Sequence, residues 1–283
     1  MTVFEAYNDC KKRLQLAGVT DYGYEARVIL RKATGYNNTQ ILSKYNQILT
    51  PLQESQLTAL IHQRETRYPL QYMFGEWEFY GLPFRVGPGV LIPRADTEIA
   101  VDVALKLLEK AEKPQVLDLC AGSGCIGIAI AKKRDDAAVT LLEKYPQAFR
   151  FAEQNVQLND TKNVTVTAGD IFESALAENQ YDLIISNPPY VEADEMETLQ
   201  PELAYEPDTA LYGGEDGLMF YRAITMNYRN ALKPGGKLVY EVGEKQAESV
   251  SGILLENGFS DIGTEKDYNG VVRVVFGTVK AIE

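Results

Sequence analysis

From residue 114 to the C-terminus, short apolar runs alternate with amphipathic stretches, and this alternation restricts the fold more than any other feature. Strands are expected near 115–119, 138–143, 163–168, 181–186, 237–242, 260–267 and 271–278. Helices are expected near 123–134, 146–159, 216–232 and 244–257. Apolar runs of this length between turn residues read as strands buried on both faces. A helix between successive strands makes them parallel. The fold class is therefore α/β, a doubly wound and mostly parallel seven-stranded sheet. The last two strands are separated only by the short Asn269-Gly270 turn, so they form an antiparallel hairpin at one edge.

In an open sheet of this kind ligands bind beyond the carboxyl ends of the strands, so the residues found there carry the functional argument. The first strand runs into Cys120-Ala121-Gly122-Ser123-Gly124, where Gly122 and Gly124 permit a tight turn and close approach of backbone to a ligand. With Cys at 120 this is not the dinucleotide pattern G-x-G-x-x-G, and it lacks the lysine of a P-loop. The second strand ends at Glu143, about 20 residues past the glycine turn, where an acid suits the hydroxyls of a ribose. Alternatively, Glu143 is only a helix N-terminal acid beside Lys144. The third strand ends at Gly169-Asp170-Ile171, in which Asp170 can accept from an adenine amino group while Ile171 covers the ring. A simple turn aspartate is the other reading.

The fourth strand ends at Ser186-Asn187-Pro188-Pro189-Tyr190. The prolines carry no backbone N–H and fix φ at about −65°, and each disfavours the α region for the residue before it. The chain must leave the sheet extended and stiff, with the Asn187 amide and the carbonyls of the turn aimed beyond the strand. An isolated Pro-Pro is turn punctuation. Four successive strands that each end on a ligand-suited residue make coincidence a poor explanation.

Residues 1–70 read as four or five helices. Val3, Tyr7, Leu14 and Leu16 open one amphipathic pattern that Gly18 stops, and Ala26, Val28, Ile29 and Leu30 open a second that ends at Gly35. Thr50-Pro51 is a cap followed by proline at the first helical position, leading into Leu52, Leu57, Leu60 and Ile61. Residues 71–90 are rich in aromatics, with turn signals at Gly75 and Gly81-Leu82-Pro83, and read as a β-hairpin linker. Residues 91–98 form a loop into a helix capped by Asp96, with Glu98 in its first turn, that runs to about Lys110. The expected organisation is a helical domain at 1–70, a linker at 71–90 and the sheet domain at 91–283.

Composition narrows the function. The 283 residues are 45% hydrophobic and 24% charged, as in ordinary globular proteins, and hold no apolar run long enough for a membrane helix. The N-terminus is charged from Glu5, unlike a signal peptide, and three cysteines, an odd number, read as free thiols of a reducing cytoplasm. A net charge of −12, from 28 basic and 40 acidic residues, argues against a partner held by its phosphate backbone. The single histidine, His62, excludes a multi-histidine metal site, and no cysteine pair has zinc spacing, so no metal is expected. His62 lies in the helical module and reads as a surface residue.

Together these residues resemble the S-adenosylmethionine-dependent class I methyltransferases, which are Rossmann-like. More narrowly, they resemble the protein-(glutamine-N5) methyltransferases that modify peptide chain release factors. The resemblance rests on 91–98 (family form I-P-R-P-D-T-E), 116–124, Asp170, Asn187-Pro188-Pro189-Tyr190, Glu206-Pro207-Asp208-Thr209-Ala210-Leu211 and Lys233-Pro234-Gly235-Gly236. Two positions depart from it: Cys120 stands for the first glycine of the cofactor turn, and Ala95 for a proline.

The resemblance implies S-adenosyl-L-methionine as cofactor, held by Cys120, Ala121, Gly122, Ser123, Gly124, Glu143, Asp170, Ile171 and Asn187. It implies a glutamine side chain as acceptor, in the Gly-Gly-Gln motif of a release factor, bound by Asn187, Pro188, Pro189 and Tyr190. The catalytic residues it assigns are Asn187, Pro188 and Tyr190. The Asn187 side-chain oxygen and the Pro188 carbonyl accept from the glutamine NH2, and Tyr190 packs on the amide plane. A delocalised amide nitrogen is a poor nucleophile, so holding its lone pair in line with an activated methyl group is the main requirement. The sulfonium is already charged, so neither base nor metal is needed. The helical module and hairpin are expected to dock the protein substrate, with no direct nucleic acid, no membrane and a monomeric chain.

Three rival readings remain. A ribosomal-protein glutamine methyltransferase is disfavoured by Arg94-Ala95-Asp96-Thr97-Glu98, and an adenine-N6 nucleic-acid methyltransferase by the acidic balance. A non-enzymatic binding module has only Cys120 in its favour. The acidic segment 192–215 is either a lid or a solvated loop.

Overall fold

Helix caps written into the sequence set the first of two units. The computed structural model describes residues 1–173 and 177–280, so the last three positions of the expected 91–283 span lie outside the described residues. One unit comprises Met1–Phe74 with Gln200–Tyr205, and the other Gly75–Leu199 with Glu206–Glu283. The first holds α1 (Val3–Leu16), α2 (Tyr22–Thr34), α3 (Asn38–Ser43), α4 (Pro51–Glu65) and α5 (Leu70–Phe74). Thr2 with Glu5, Asn37 with Gln40 and Thr50 with Gln53 form capping boxes on α1, α3 and α4, which satisfy N–H groups that a helix start leaves unpaired. Val3, Ala6, Cys10 and Leu14 make the buried stripe of α1 against Ala26, Ile29 and Leu30 of α2 and Leu57 and Ile61 of α4.

Arg64, only 3% exposed, holds Glu25 at 2.6 Å and Glu202 at 2.8 Å, and Arg67 holds the other oxygen of Glu202 at 2.6 Å. The stretch Gln200–Tyr205 thereby belongs to the helical unit although it is distant in sequence. At Glu202, therefore, the segment 192–215 is fixed rather than freely solvated. The reading of 71–74 as part of a hairpin is corrected. Met73 N–H donates to the Pro69 carbonyl at 3.1 Å, and the turn proline opens continues as α5 until Gly75, at φ +73°, breaks it.

The second unit opens with β1 (Glu76–Phe79) and β2 (Leu82–Arg85), an antiparallel hairpin whose Phe79 and Phe84 meet edge-on at 5.9 Å inside that unit's core. Next come α6 (Glu98–Leu107), β3 (Gln115–Leu119), α7 (Cys125–Lys133), β4 (Ala138–Glu143), α8 (Pro146–Leu158), β5 (Val164–Ala168) and β6 (Tyr181–Ser186). After these come α9 (Ala193–Met196), α10 (Met219–Tyr228), β7 (Leu232–Glu241), α11 (Ala247–Glu256), β8 (Phe259–Lys266) and β9 (Val272–Val279). The seven-stranded sheet has the order β5-β4-β3-β6-β7-β9-β8; its first five strands are parallel, and β8 and β9 form the expected antiparallel edge. Apolar clusters cover both faces, as the near-continuous hydrophobic strands require. Because β4 and β5 lie on one side of β3 while β6 and β7 lie on the other, the strand order reverses between β3 and β6.

Three further expectations are corrected here. Asp96 does not cap α6: it lies inside a 3-10 turn (Ala95–Thr97), and its carboxylate pairs with Arg273 at 3.2 Å. Helix α10 begins later than 216, because Gly214 and Gly217 adopt φ +95° and +67° and keep the chain out of a helix until Met219. Strand β7 begins earlier than 237: Leu232 already pairs with Tyr181, and the Lys233-Pro234-Gly235-Gly236 stretch is an irregularity before Lys237 meets Leu183.

The turn after β3 is shaped by backbone. Cys120, Gly122 and Gly124 have φ of +57°, +56° and +78°, so three of five consecutive residues are left-handed. Gly124 sits against Leu141 and Ile128, and a Cβ at Gly127 would lie 2.2 Å from Leu141, so both glycines serve helix–strand packing. Asp118, 1% exposed, accepts the Gly127 N–H at 2.9 Å and so satisfies an early donor of α7. Burial pushes its carboxyl up to about 7, against the lowering effect of that N–H and with the charge of Glu143 adding to the rise.

Asp118 in the folded chain keeps its proton at pH values where the unfolded chain has lost it. Its contribution is therefore favourable below about pH 4 and is lost as pH rises toward about 7. Asp118→Asn, which still offers an acceptor to Gly127, should flatten that decline and stabilise the protein at pH 8 by up to about 4 kcal/mol, measured by urea unfolding across pH. At Cys120, glycine relieves a left-handed L-residue (about 1–2 kcal/mol) but adds unfolded-chain entropy (about 0.4–1 kcal/mol). Cys120→Gly should therefore stay within about 1 kcal/mol of the parent. Cys120→Val, β-branched at positive φ, should lose about 2 kcal/mol or more in the same assay.

Candidate active site

A cavity of about 100 Å³, open to solvent, lies at the carboxyl ends of the parallel strands in the second unit. Its base is the turn after β3: Cys120, Ala121, Gly122 and Ser123 all line it. Glu143, the last residue of β4, also lines it and is 5% exposed. Its Oε2 accepts the Gly122 N–H at 2.8 Å and its Oε1 the Tyr145 N–H at 2.8 Å. Burial raises the Glu143 pKa against the opposing pull of those N–H groups. A carboxylate anchored through one lone pair on each oxygen keeps further acceptor capacity for two hydroxyls.

Asp170, after β5, lines the same cavity, but its carboxylate is engaged. Oδ2 pairs with Lys144 at 2.7 Å and Oδ1 accepts the Phe172 N–H at 3.0 Å. Burial works to raise its pKa, yet Lys144 and the Phe172 N–H prevail and the pKa lies below the usual value. Ile171 is 5% exposed and gives the wall an aliphatic surface. Beside it Phe172 meets Phe220 edge-on at 5.3 Å, and Tyr145 adds a third ring to the lining.

Asn187, half-buried after β6, lines the cavity, as does Pro189. Its Nδ2 donates to Thr97 Oγ1 at 3.3 Å, which leaves Oδ1 as the acceptor at this end of the sheet. The Ser186 hydroxyl donates to the Leu119 carbonyl at 2.7 Å and ties the ends of β6 and β3 together. Among the described residues, Gly124, Pro188 and Tyr190 are not part of the cavity wall. Gly124 is occupied by packing and Pro188 is buried. Tyr190 is fixed through its backbone: its carbonyl accepts Gln246 Nε2 at 2.9 Å, and a Cβ at Gly213 would lie 2.6 Å from its Cα. Burial first, and then the nearby Glu241, push its phenol far above the usual value.

Several wall residues escape sequence reasoning. Tyr145 and Phe172 each stand within two residues of a chosen position, so a search for aromatics beside the strand-end acids would have found them. Arg94 and Thr97 enter the sequence argument only through the lead-in motif, and Phe220, far away in sequence at the start of α10, leaves no signal. Glu206, 5% exposed, accepts the Ile92 N–H at 2.9 Å and pairs with Arg94. That contact brings Pro207, Thr209 and Ala210 into the wall, so the start of 206–211 is a built part of the site.

The chain was compared with known proteins. Residues 5–75 match the family described as PrmC N-terminal domain, and residues 83–214 match Methyltransferase small domain. A release factor glutamine methyltransferase from Geobacter sulfurreducens is 41% identical over 263 residues, 93% of this chain and 91% of that protein. One from Fusobacterium nucleatum subsp. nucleatum is 44% identical over 225 residues, 79% of this chain and 63% of its own length, so that match spans less than two thirds of it. A methyltransferase structure from Pyrococcus furiosus superposes with a TM-score of 0.51 at 18% identity, covering 81% of this chain and all of the other, which supports the fold alone. The strand order, the cavity at its reversal and a relative 41% identical and matched along 91% of its length agree: this chain belongs to the release factor glutamine methyltransferase family.

Proposed function

We propose that this chain transfers a methyl group from S-adenosyl-L-methionine to the side-chain amide nitrogen of a glutamine in a peptide chain release factor. The observation that carries the reading is the asparagine at the lip of the cavity. With its NH2 tied to Thr97, Asn187 presents an acceptor where an incoming amide NH2 would need one. The relatives' shared name supplies the identity of the substrate.

The cavity residues fit the cofactor. Glu143 offers acceptor-only oxygens, held rigid by two backbone N–H groups, to a vicinal diol. Ile171, Phe172 and Phe220 supply the apolar surface an adenine ring requires, and the carboxylates of Glu143 and Asp170 suit a ligand carrying positive charge. Asp170 is shared with Lys144, so its role toward an amino group is as one acceptor within an ion pair. When bound, S-adenosyl-L-methionine supplies a methyl group already activated by positive sulfur.

The chain's own residues then position. Asn187 Oδ1, in the wall, and the backbone carbonyl of Pro188, next to it in the chain although outside the wall, hold the two amide hydrogens, which turns the nitrogen lone pair toward the methyl group. Tyr190, seated by Gln246 and the close approach of Gly213, stiffens the turn on which Asn187 and Pro188 stand. No group in the wall needs to act as a strong base, since the proton released from the product amide passes to water. The helical unit and hairpin dock the protein, three free cysteines accord with a cytoplasmic setting, and the chain acts as a monomer. No helix among the described residues is long and apolar enough to cross a membrane.

The direct test incubates the protein and labelled cofactor with a purified release factor, with ribosomal proteins and with DNA, and maps the label by mass spectrometry. Label on the glutamine of a Gly-Gly-Gln motif is expected; label on a ribosomal protein or on adenine instead would overturn the reading. Asn187→Ala should keep cofactor affinity within a few-fold and lower turnover by about 100-fold or more, as loss of an orienting contact implies. Near-normal turnover would remove Asn187 from its role. Glu143→Ala should weaken cofactor binding by about 10–100-fold, the loss of hydrogen bonds to a charged acceptor, and calorimetry showing unchanged affinity would contradict that.

A further inference from the structure

Glu241 closes β7 with 2% exposure, and its Oε2 has no hydrogen-bond partner. An acid left unsatisfied inside an apolar sheet is costly, and packing gives no reason for it: its strand neighbours Val239, Tyr240 and Val242 are all fully buried. Its position supplies a reason. Ser186 of β6 pairs with Tyr240 of β7, so the next residues along the two strands are Asn187 and Glu241. Thr97, also 2% exposed, receives the Asn187 NH2 at 3.3 Å. The Thr97 hydroxyl and the Asn187 amide both stand close enough to Glu241 to favour its charged form.

The donor and acceptor rules of these three groups form a one-way chain. A carboxylate only accepts, and a hydroxyl has a single proton. With Glu241 ionised, the Thr97 proton is drawn toward β7, and the Thr97 lone pairs are left for Asn187. The amide must then turn its NH2 to Thr97 and its Oδ1 to the cavity. With Glu241 neutral, Thr97 can donate to Asn187 instead, and the amide can rotate to present NH2 to a substrate amide that needs an acceptor. We propose that Glu241 is a positioning residue which, through Thr97, fixes which end of the Asn187 amide faces the cavity. This deepens the functional reading above and rests on it only for its kinetic consequence.

Burial pushes the Glu241 carboxyl up to about 7, with the Thr97 hydrogen bond opposing the rise. Asp96, on the turn before α6, adds to the rise, while Arg273 of β9 and the Asn187 amide lower it. Tyr190, Tyr221 and Cys125 also face its charge, but their own pKa values are raised, that of Cys125 to about 12, so they keep their protons at neutral pH. Amide polarity is therefore set above about pH 7 and lost below it.

The test compares the unaltered chain with Glu241→Gln, an isostere that both donates and accepts, using the full chain, S-adenosylmethionine and a release factor between about pH 6 and 9. Turnover of the parent should fall on the acid side of about pH 7. Glu241→Gln should lower kcat about tenfold or more and abolish that acid limb, with KM for the release factor and cofactor affinity within about twofold. A Glu241→Gln enzyme with the parent kcat and the parent pH profile overturns the proposal. If Glu241→Gln does not fold, Thr97→Val must show the same loss and Thr97→Ser must recover most of it; Thr97→Val with parent kcat overturns it equally. The side-chain NH2 resonance of Asn187, identified by its loss in Asn187→Asp, gives a reading without turnover. It should titrate near pH 7 in the parent and not in Glu241→Gln or Thr97→Val, and a resonance insensitive to pH in the parent overturns the proposal. A parent chain that methylates no release factor but shows this titration overturns the function and leaves the Glu241 assignment standing.

Discussion

The site depends on the reversal of strand order between β3 and β6. Neighbouring parallel strands whose successors lie on opposite sides of the sheet leave a gap at their carboxyl ends that no crossover covers. Ser186 closes the base of that gap by donating to the Leu119 carbonyl at 2.7 Å, so the two strands end at one level. From this level one chain turns back at once through left-handed Cys120 and Gly122, while the other leaves stiffly through Pro188 and Pro189. Neither exit can fold over the gap. The cavity is thus a consequence of topology, kept open by two kinds of backbone restriction.

Besides Glu206, the chain buries three strand-end carboxylates around this gap, Asp118, Glu143 and Glu241, each at or beside the end of its strand. Burial raises the pKa of all three, so each weakens the fold at neutral pH relative to an apolar residue. They differ in what surrounds them. Asp118 is spent on the Gly127 N–H and holds α7 to the sheet, a structural use. Glu143 is anchored by two backbone donors and still faces the cavity, the condition for a ligand acceptor. Glu241 has neither a donor on Oε2 nor a place in the wall, and only its link to Thr97 and Asn187 distinguishes it from a defect. Destabilised polar groups collect where a fold performs chemistry.

Much of this was legible in the chain, and the reasons separate cleanly by interaction range. The parallel strands announce themselves because burial on both faces removes polar alternation, and β4 and β6 are found at their expected limits, Ala138–Glu143 and Tyr181–Ser186. Glu143, Asp170, Ile171 and Asn187 reach one cavity because strand-end position is itself a sequence property. The backbone of Tyr190 is held by Gln246 and closely approached by Gly213, contacts no local pattern records. Asp96 looked like a cap because it precedes a helix, but Arg273 of β9, 177 positions later in the numbering, takes its charge (273 − 96). Lys144 is likewise invisible as the partner of Asp170 until β4 and β5 are side by side.

That the proposed transfer calls for no strong base gains meaning from the same geometry. If the site worked by removing a proton, its acidic groups would need to face the substrate with pKa values matched to that task. Instead Glu143, the raised carboxyl in the wall, is anchored by two backbone N–H groups, and Glu241, beside Asn187 but outside the wall, reaches the cavity only through hydrogen-bond polarity. An amide nitrogen needs no deprotonation to meet a cationic methyl donor; it needs its lone pair held in one direction. Such a task demands a rigid acceptor of fixed sign, which a lone asparagine does not guarantee because its two ends differ little in shape. A buried anion one hydroxyl away removes that ambiguity, which makes its energetic cost a requirement of the mechanism.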